Sequence, residues 1–354
     1  MDIIMDMGLH KKNINITPKI LKLIAEIDEF KGSWLTLGSL APDRLSSLKK
    51  IATIESIASS TRIEGSKLTD SEVKNLLMGL DIKSFKNRDE EEVAGYAEII
   101  NLIFESHNEL PLSENIIKQL HQALLKFSKK DVRHRGDYKK LNNHVEAFDA
   151  KGKSVGIIFE TASPFDTPFK MEKLIKWLNK SLTEKELHPL IIIAVFVVDF
   201  LAIHPFQDGN GRLSRALTTL LLIKAQYEYV PYSSLELVIE ENKDKYYLYL
   251  RGAQTEKTKS NTHLIKWVEF FLECLTKQKN VLSRKIEKEQ GLKELPKLST
   301  QIIIALKDHG KLSLSQIVNT VGANRNTVKA HVFQLIKHNK IKKEGIGKGT
   351  AYFI

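Results

Sequence analysis

The sequence predicts a mainly α-helical protein with a short β-hairpin, followed by a small α+β domain at the C-terminal end of its 354 residues. Apolar residues recur at helical spacing over most of the chain, whereas strand character is confined to Ser154–Phe159 and the last residues. From Ser299 onward, short helical segments are followed by a glycine-rich stretch, which indicates a separate small domain.

Charge and cysteine content narrow the class of protein. The formal net charge is +11, and the last 71 residues hold fourteen Lys and Arg against five Asp and Glu, so most of the excess lies in the C-terminal domain. The single cysteine, Cys274, excludes an internal disulfide and fits a reducing compartment. The N-terminus lacks a secretory signal pattern, and no apolar run reaches the ~20 residues of a membrane span. We therefore expect a cytoplasmic protein that does not enter a membrane.

The N-terminal third is predicted to be helical. A first helix starts at Pro18 and is expected to end around Gly32. A second helix covers Asp43–Ile63 and is followed by a glycine C-cap. Thr69 and Glu72 have the spacing of a capping box and open a third helix. The same signals predict two more helices, Glu91–Ser106 and Ser113–Lys126.

The most informative stretch is His204–Arg212, with Arg215 one turn later. It lies between the apolar run Leu190–Ile203 and a second helical segment, Leu213–Ala225. Two buried helices are therefore expected to present one polar loop.

This loop contains groups suited to phosphate. Gly209 and Gly211 can adopt positive φ and turn backbone N–H groups inward, and the helix that starts near Asn210 offers its own unpaired N–H groups. Arg212 and Arg215 share one face of that helix and add guanidinium donors for phosphate oxygens. Together these residues predict a site for a triphosphate.

Two more residues add chemistry. Asp208 is placed to bind a Mg²⁺ that bridges phosphate oxygens, since Mg²⁺ uses one or two carboxylates together with phosphates and water. His204, with an ordinary pKa of about 6.5, can accept a proton from an attacking hydroxyl. Each feature alone is typical of a structural role. In combination they predict attack of a hydroxyl on a phosphoryl group.

The stretch resembles the signature of the Fic family, His-Pro-Phe-x-Asp-Gly-Asn-Gly-Arg-x-x-Arg, and matches it at every specified position. The resemblance implies a Fic-type helical core and an AMP transferase that moves AMP from ATP to a Tyr, Thr or Ser hydroxyl of a target protein. It implies that His204 is the general base, that Asp208 binds Mg²⁺ and that Phe206 anchors the loop. Phosphorylating relatives of the Doc type carry lysine at the position of Gly211, so the glycine favours nucleotidyl transfer. The implied phosphate-binding residues are Gly209, Asn210, Gly211, Arg212 and Arg215.

A second motif lies ahead of this core. The sequence Ser60-Thr61-Arg62-Ile63-Glu64-Gly65 resembles the family's inhibitory motif, Ser/Thr-x-x-x-Glu-Gly/Asn, although alone it is typical of a polar helix end. The resemblance implies that Ser60, Glu64 and Gly65 inhibit the enzyme, because Glu64 pairs with Arg215 and keeps it from the γ-phosphate. In some relatives the same glutamate supports removal of AMP, an activity that the sequence leaves open.

The resemblance extends to neighbouring segments. Ser154–Phe159 corresponds to the flap, a hairpin edge on which a target segment is added as a strand, although an ordinary surface hairpin fits these residues equally well. Tyr246, Tyr247 and Gln254 lie near the positions that line the family's adenosine pocket, where asparagine is often found in place of Gln254. Lys139 stands where a related segment usually has arginine.

Residues 297–354 resemble a winged helix-turn-helix domain. We predict helices over Thr300–Asp308 and Ser313–Thr320, a third helix capped by Asn324 and a two-stranded wing from Ile341 onward. DNA binding and a role in protein interaction or dimerisation fit the pattern equally. The residues suited to DNA phosphates are Arg325, Asn326, Lys329, Lys337, Lys342, Lys343 and Lys348.

The complete interpretation divides the chain into four parts: an N-terminal helical regulatory segment (1–112), a Fic catalytic core (113–255), a helical connector (256–296) and the winged helix-turn-helix domain (297–354). The expected partners are ATP, a target protein, DNA and a second copy in a homodimer, with self-modification also open. One alternative is an ATP-sensing DNA-binding regulator, which the intact His204 disfavours because a sensor needs no base. Another is transfer of UMP or phosphocholine by the same scaffold.

Overall fold

In a computed structural model the chain forms fourteen α-helices and five short β-strands in the ranges described below, so the prediction of a mainly α-helical protein is confirmed. It divides into two compact units, Met1–Leu282 and Ser283–Ile354. No helix within the described ranges is both long and apolar enough to cross a bilayer. The structure describes residues 14–36, 42–79, 85–143, 145–148, 154–255, 261–293, 296–345 and 347–354.

Five helices form the N-terminal part of the first unit: α1 (Pro18–Thr36), α2 (Pro42–Ile63), α3 (Asp70–Met78), α4 (Arg88–Ser106) and α5 (Glu114–Leu124). The predicted capping box of Thr69 and Glu72 is present at the start of α3. Asn87 and Ser113 cap α4 and α5 by accepting backbone N–H groups of the first turn. The N-terminal boundaries of these helices therefore follow from local sequence.

The first helix is longer than predicted. It continues through Gly32 to Thr36, although a glycine inside a helix costs about 1 kcal/mol relative to alanine. Aromatic contacts hold the helix on both sides of Gly32. Before it, the Phe30 and Tyr229 rings meet edge to face with centroids 5.0 Å apart, and after it the Trp34 ring lies 4.9 Å from that of Tyr232. The expected end at Gly32 was wrong because packing against a distant segment overrides the local signal.

Two buried helices form the centre of this unit, α7 (Pro189–Ile203) and α8 (Asn210–Lys224). The apolar run of α7 is buried on all sides, with His188 as its N-cap. Helix α6 (Thr167–Glu184) packs against α7, and α4 and α5 pack against α8. The loop from α7 to α8 is thus held between two rigid elements.

Three further helices follow α8: α9 (Leu235–Glu241), α10 (Lys243–Thr255) and α11 (Thr262–Lys293). Helix α9 packs against α2, and α10 packs against α7. These contacts bring the end of α2 and one face of α10 to the same side of the central pair.

The predicted hairpin is also present. Strands β1 (Val145–Phe148) and β2 (Ser154–Phe159) pair antiparallel, with Val145 opposite Phe159 and two register irregularities. The bounds of β2 are those expected from the sequence, whereas β1 was not predicted.

The second unit contains α12 (Lys297–His309), α13 (Leu314–Val321) and α14 (Arg325–Lys337), with strands β3 (Leu312–Ser313), β4 (Lys342–Glu344) and β5 (Ala351–Phe353). The strands form an antiparallel sheet in the order β3-β5-β4. Asn324 caps α14 as predicted, and Ile302, Ile317, Val328 and Leu335 are buried in a common core. The predicted helices and C-terminal strands are present, and identification of the unit as a winged helix-turn-helix stays a prediction.

Candidate active site

The loop between α7 and α8 is closed by its own side chains. His204 ends α7 in the left-handed conformation with φ of 53°, and Gly209 takes φ of 79° just before α8. Asn210 donates from Nδ2 to the carbonyl of Phe206 at 2.7 Å and accepts the Phe206 N–H at Oδ1 at 2.9 Å. Because both ends of the Asn210 side chain are engaged, only its backbone N–H is left to meet an anion.

An aromatic pair fixes this loop in the core. Phe206 is completely buried, as predicted, and stacks on His121 of α5 with 3.8 Å between ring centroids. His121 accepts the Gly136 N–H at Nδ1, so its Nε2 carries the proton and donates to the carbonyl of Asp208 at 3.0 Å. Burial lowers the pKa of His121 to about 4, which keeps the ring neutral at physiological pH. His121 therefore positions Asp208.

His204 has the protonation state that a general base needs. Its Nδ1 faces the carbonyl of Leu201 at 3.4 Å, and because a carbonyl only accepts, Nδ1 carries the proton and Nε2 keeps its lone pair. Burial, and then the charge of Lys139, lower the pKa of His204 to about 4. The imidazole is therefore neutral at pH 7 and able to accept a proton.

Lys139 holds the start of the loop between α7 and α8 by hydrogen bonds. Its Nζ donates to Asn143 Oδ1 at 2.8 Å, to Thr161 Oγ1 at 2.9 Å and to the carbonyl of Ile203 at 3.1 Å. Asn143 in turn donates to the carbonyl of Phe206 at 2.6 Å. Burial lowers the pKa of Lys139 to about 8. Lys139 thus connects the end of α7 to the residues on either side of the hairpin.

Four charged side chains alternate in sign at the start of α8. Asp208 Oδ1 accepts the Gly209 N–H at 2.6 Å and lies 3.4 Å from Nη2 of Arg212, while Oδ2 is ion-paired with Arg88 of α4. Glu92, one turn along α4, lies 2.7 Å from Arg88 Nε and 3.1 Å from Arg212 Nη1. Burial alone would raise the pKa of Asp208, but Arg212, the Gly209 N–H and Arg88 lower it below its ordinary value. The carboxylate is therefore charged at neutral pH.

Arg215 is held by the end of α2. Its side chain is only 4% exposed. Nε donates to Ser60 Oγ at 2.9 Å, and Nη2 donates to the Ser60 carbonyl at 2.9 Å and to Glu64 Oε1 at 2.8 Å. Burial alone would lower the pKa of Arg215, but the charge of Glu64 raises it. The structure thus brings Ser60, Glu64 and Arg215 together as the motif implied, and their inhibitory role stays a prediction.

The carboxylate of Glu64 also covers the N-terminus of α8. A Cβ atom added to Gly211 would lie 2.2 Å from Glu64 Oε1, so the carboxylate rests directly on that glycine. The unpaired N–H groups of a helix N-terminus attract anions. Glu64 therefore lies in the region where phosphate is expected.

A network around Arg62 sets the position of Glu64. Arg62 Nε donates to Glu240 at 2.6 Å, and Nη1 donates to Asp70 at 2.8 Å, which ties the end of α2 to α9 and α3. Gly65 follows with φ of 110°, a conformation that favours glycine. The end of the inhibitory motif, Glu64 and Gly65, is thus held in place by the ion pairs of Arg62 and the turn at Gly65.

The predicted residues converge on one cavity of about 490 Å³, a volume suited to a small-molecule ligand. Tyr246 and Tyr247 of α10 line it with ring centroids 5.2 Å apart, and Tyr246 also packs against Trp267 in the core. Ser60 contacts Arg215 without lining the cavity. The predicted residues that line the cavity are Glu64, Gly65, His204, Asp208, Gly209, Asn210, Gly211, Arg212, Arg215, Tyr246, Tyr247 and Gln254.

A Mg²⁺ at this site would need phosphate ligands. In the part of the chain that the structure describes, no three His, Cys, Asp or Glu side chains lie close enough to hold a metal ion by themselves. Asp208 nevertheless fits one Mg²⁺ shared with a nucleotide, since its charged carboxylate lines the cavity beside the N-terminus of α8.

The sequence analysis missed several residues that shape the site. Arg88 and Glu92 have the i,i+4 spacing of a helical ion pair, which was a usable signal. His121 and Asn143 gave no local signal, because their loop partners lie 87 and 63 positions away. Arg62 stands at an unspecified position of the inhibitory motif.

Comparison with known proteins relates this part of the chain to one family. Residues 111–222 match the model of the Fic/DOC family. The protein adenylyltransferase Fic of Drosophila virilis is 28% identical over 235 residues, which cover 65% of this chain and 42% of the relative. That of Drosophila melanogaster is 27% identical, with the same coverage of 65% and 42%. The chain thus spans about two fifths of the length of these curated relatives.

Solved structures extend the likeness to most of the chain. A Fic domain containing signaling protein from Bacteroides thetaiotaomicron has a TM-score of 0.61 at 25% identity, covering 74% of this chain and 97% of that one. A Fic family protein from Desulfovibrio desulfuricans also has a TM-score of 0.61, at 24% identity, covering 96% of this chain and 97% of that one. The complete signature and the matched model make residues 111–222 similar to the Fic/DOC family, and the solved structures share the fold.

Proposed function

We propose that the chain is a protein adenylyltransferase that moves AMP from ATP to the hydroxyl of a Tyr, Thr or Ser side chain on a target protein. The observation that carries this proposal is the convergence of neutral His204, charged Asp208 and the two arginines, Arg212 and Arg215, on one cavity. The relatives named protein adenylyltransferase support AMP as the transferred group.

The geometry supports a direct displacement. The acceptor hydroxyl oxygen attacks the α-phosphorus of ATP, and its proton passes to Nε2 of His204. The bond from the α-phosphorus to the bridging oxygen breaks, and pyrophosphate leaves with that oxygen. Arg212 and the N–H groups around Gly211 stabilise the phosphate charge. A Mg²⁺ bound by Asp208 would neutralise further charge on the phosphate oxygens.

The two ends of the cavity suit the two substrates. Tyr246, Tyr247 and Gln254 of α10 lie on the side that we assign to adenosine. Phe159, the last residue of β2, also lines the cavity, which supports addition of a target segment to the hairpin edge as a further strand. The acceptor hydroxyl would then reach His204.

Glu64 inhibits this reaction in our proposal. It engages Arg215 and covers Gly211, so the γ-phosphate has no place at the second arginine until Glu64 moves. Removal of AMP with the help of Glu64, self-modification and a homodimer stay predictions.

The decisive experiment is mass spectrometry of the chain after incubation with ATP and Mg²⁺, alone and with a cell extract as target source. We expect an AMP-sized mass gain on protein with Glu64→Gly, little with wild type and none with Glu64→Gly/His204→Ala. UTP and CDP-choline in place of ATP separate the alternative transfers. Absence of both labelling and ATP binding by Glu64→Gly would contradict the proposal.

A second proposal concerns the C-terminal unit, which we assign to DNA binding. Residues 297–354 contain ten Lys and Arg but two Asp and Glu, a charge density suited to a phosphate backbone. Exposed basic residues lie on α14 and β4: Arg325, Lys329, Lys337, Lys342 and Lys343. Mobility shift of duplex DNA by the full chain should weaken as salt is raised and on Arg325→Ala/Lys329→Ala. No shift at low salt would favour the protein-interaction alternative.

A further inference from the structure

We propose that Arg88 blocks the active site at a second point, in addition to Glu64. Its guanidinium occupies the position on Asp208 where a divalent cation would bind, so Arg88 must move away before the cation binds. The proposal rests on the proposed function, in which Asp208 holds Mg²⁺. It is distinct from the role of Glu64, because the contact comes from α4 and falls on Asp208, whereas Glu64 belongs to the end of α2 and engages Arg215.

The two oxygens of Asp208 have different partners. Oδ1 accepts the Gly209 N–H at 2.6 Å and lies 3.4 Å from Arg212 Nη2, so the loop itself uses this oxygen. Oδ2 is ion-paired with Arg88. A cation that bridges Asp208 to a phosphate must approach the oxygen that the loop does not use. The guanidinium of Arg88 therefore stands where that cation would bind.

The position of Arg88 is not explained by its own helix. Arg88 is the first residue of α4, where the helix dipole disfavours a positive charge, and Asp89, Glu90 and Glu91 follow as that dipole favours. What stabilises the charge of Arg88 is its pair of carboxylates, Asp208 and Glu92. Glu92 is 12% exposed and lies against both Arg88 and Arg212, so it holds Arg88 towards Asp208.

The ion pair between Arg88 and Asp208 is weak enough for a divalent cation to displace Arg88. The side chains of Arg88 and Asp208 are 41% and 36% exposed, and ion pairs of this exposure are weak and screened by salt. A divalent cation that also binds phosphate oxygens can displace such a partner. Arg88 also pairs with Glu92 through Nε at 2.7 Å, so release from Asp208 does not by itself leave the guanidinium unpaired. The apparent affinity for the cation is reduced by the fraction of molecules in which Arg88 occupies Asp208.

The test measures binding and not turnover. In the full chain carrying Glu64→Gly/His204→Ala, ATP affinity is determined by calorimetry with saturating Mg²⁺ and with EDTA, and the ratio of the two affinities reports the contribution of the metal. We expect Arg88→Gln to raise this ratio about fivefold, the strength of a half-exposed ion pair. Arg88→Lys should raise it about twofold, because an ammonium cannot bridge two carboxylates as a guanidinium does.

A charge-matched control comes from the same cavity. Arg251 lines it from α10, 5.7 Å from the ring centroid of Tyr247, and has no ion pair with Asp208 among the described contacts. Arg251→Gln should leave the metal ratio within about twofold of the parent, since Arg212, Gly209 and Arg88, and not Arg251, are the groups that lower the pKa of Asp208. An equal rise of the metal ratio in Arg88→Gln and Arg251→Gln would show that the loss of any positive charge in the cavity causes the effect. That result would overturn the proposal.

Other outcomes also decide. An unchanged ratio in Arg88→Gln, with ATP still bound, overturns the role of Arg88 and leaves the proposed function standing. Equal loss of ATP affinity with Mg²⁺ and with EDTA would make Arg88 a phosphate ligand instead. Absence of ATP binding by the parent under both conditions would overturn the proposed function and this inference with it.

Discussion

Helices α2 and α4 both reach the candidate active site, and they contact it in physically different ways. The end of α2 engages Arg215, which is 4% exposed, whereas the start of α4 engages Asp208, which is 36% exposed. Charges act more strongly on each other away from water, and exposed pairs are screened by salt. In our proposals the contact at the end of α2 controls whether Arg215 is available to phosphate, and the contact from α4 controls how readily a cation binds Asp208.

Removing the carboxylate of Glu64, which directly follows α2, should have the largest effect on the rate of AMP transfer. Glu64→Gly is expected to raise the rate of AMP transfer about a hundredfold, because transfer is limited by the small fraction of molecules in which Arg215 is free. Initial rates of pyrophosphate release measure this. Glu64→Gln keeps the size of the side chain but loses its charge, so it should give a smaller rise. Equal rates in wild type and Glu64→Gly would show that the α2 contact has no regulatory effect.

Ser60 of α2 tests whether this helix also positions Arg215 when Glu64 is absent. In the Glu64→Gly background, Ser60→Ala should lower kcat/KM about tenfold, since a guanidinium loses a buried charge-assisted hydrogen bond. Ser59→Ala is the matched control: Ser59 is equally buried but accepts from Arg62 at 3.3 Å. If both alanine variants lose activity equally, the loss reflects the helix and not the contact with Arg215.

Salt should separate the two contacts. Raising NaCl from about 50 mM to about 500 mM should shrink the effect of Arg88→Gln on metal-dependent ATP affinity about threefold, because the Arg88–Asp208 pair is exposed. The rate ratio of Glu64→Gly to wild type should change less, within about twofold, because Arg215 is only 4% exposed even though its partner Glu64 is 30% exposed. A collapse of that rate ratio in high salt would contradict the distinction between the helices.

The smallest effect is expected from pH. The folded pKa of His204 is about 4, below the ordinary 6.5, so the ring stays neutral until the pH falls towards 4. Transfer by Glu64→Gly should therefore vary less than about twofold between about pH 6 and pH 8. Loss of half the rate near the ordinary pKa would show that opening the α2 contact restores solvent to His204. Rates of pyrophosphate release at constant ionic strength provide the measurement.

The sequence predicted the central part of the fold and much of the site because the signals there are local. The apolar run before His204 predicts α7. The site residues from His204 to Arg215 lie within one short stretch of sequence. The pairing of Glu64 with Arg215 came from a motif match. The contacts of Arg88 with Asp208 and of His121 with the loop carry no such signal, since tertiary packing alone joins residues so far apart. The same reason explains the extension of α1 past Gly32.

Gly211 couples the signature motif to the inhibitory motif, because the Glu64 carboxylate lies directly against it. A Cβ at this position would lie 2.2 Å from Glu64 Oε1, and because Glu64 is a flexible side chain, the carboxylate would be the group to move. We therefore expect positions 64 and 211 to be epistatic, since a side chain added at 211 would have to displace the Glu64 carboxylate. A variant that acquired lysine there would, if Glu64 inhibits as we propose, change its phosphate site and lose its inhibition through one amino-acid substitution. Divergence of reaction and escape from inhibition would then be inherited together.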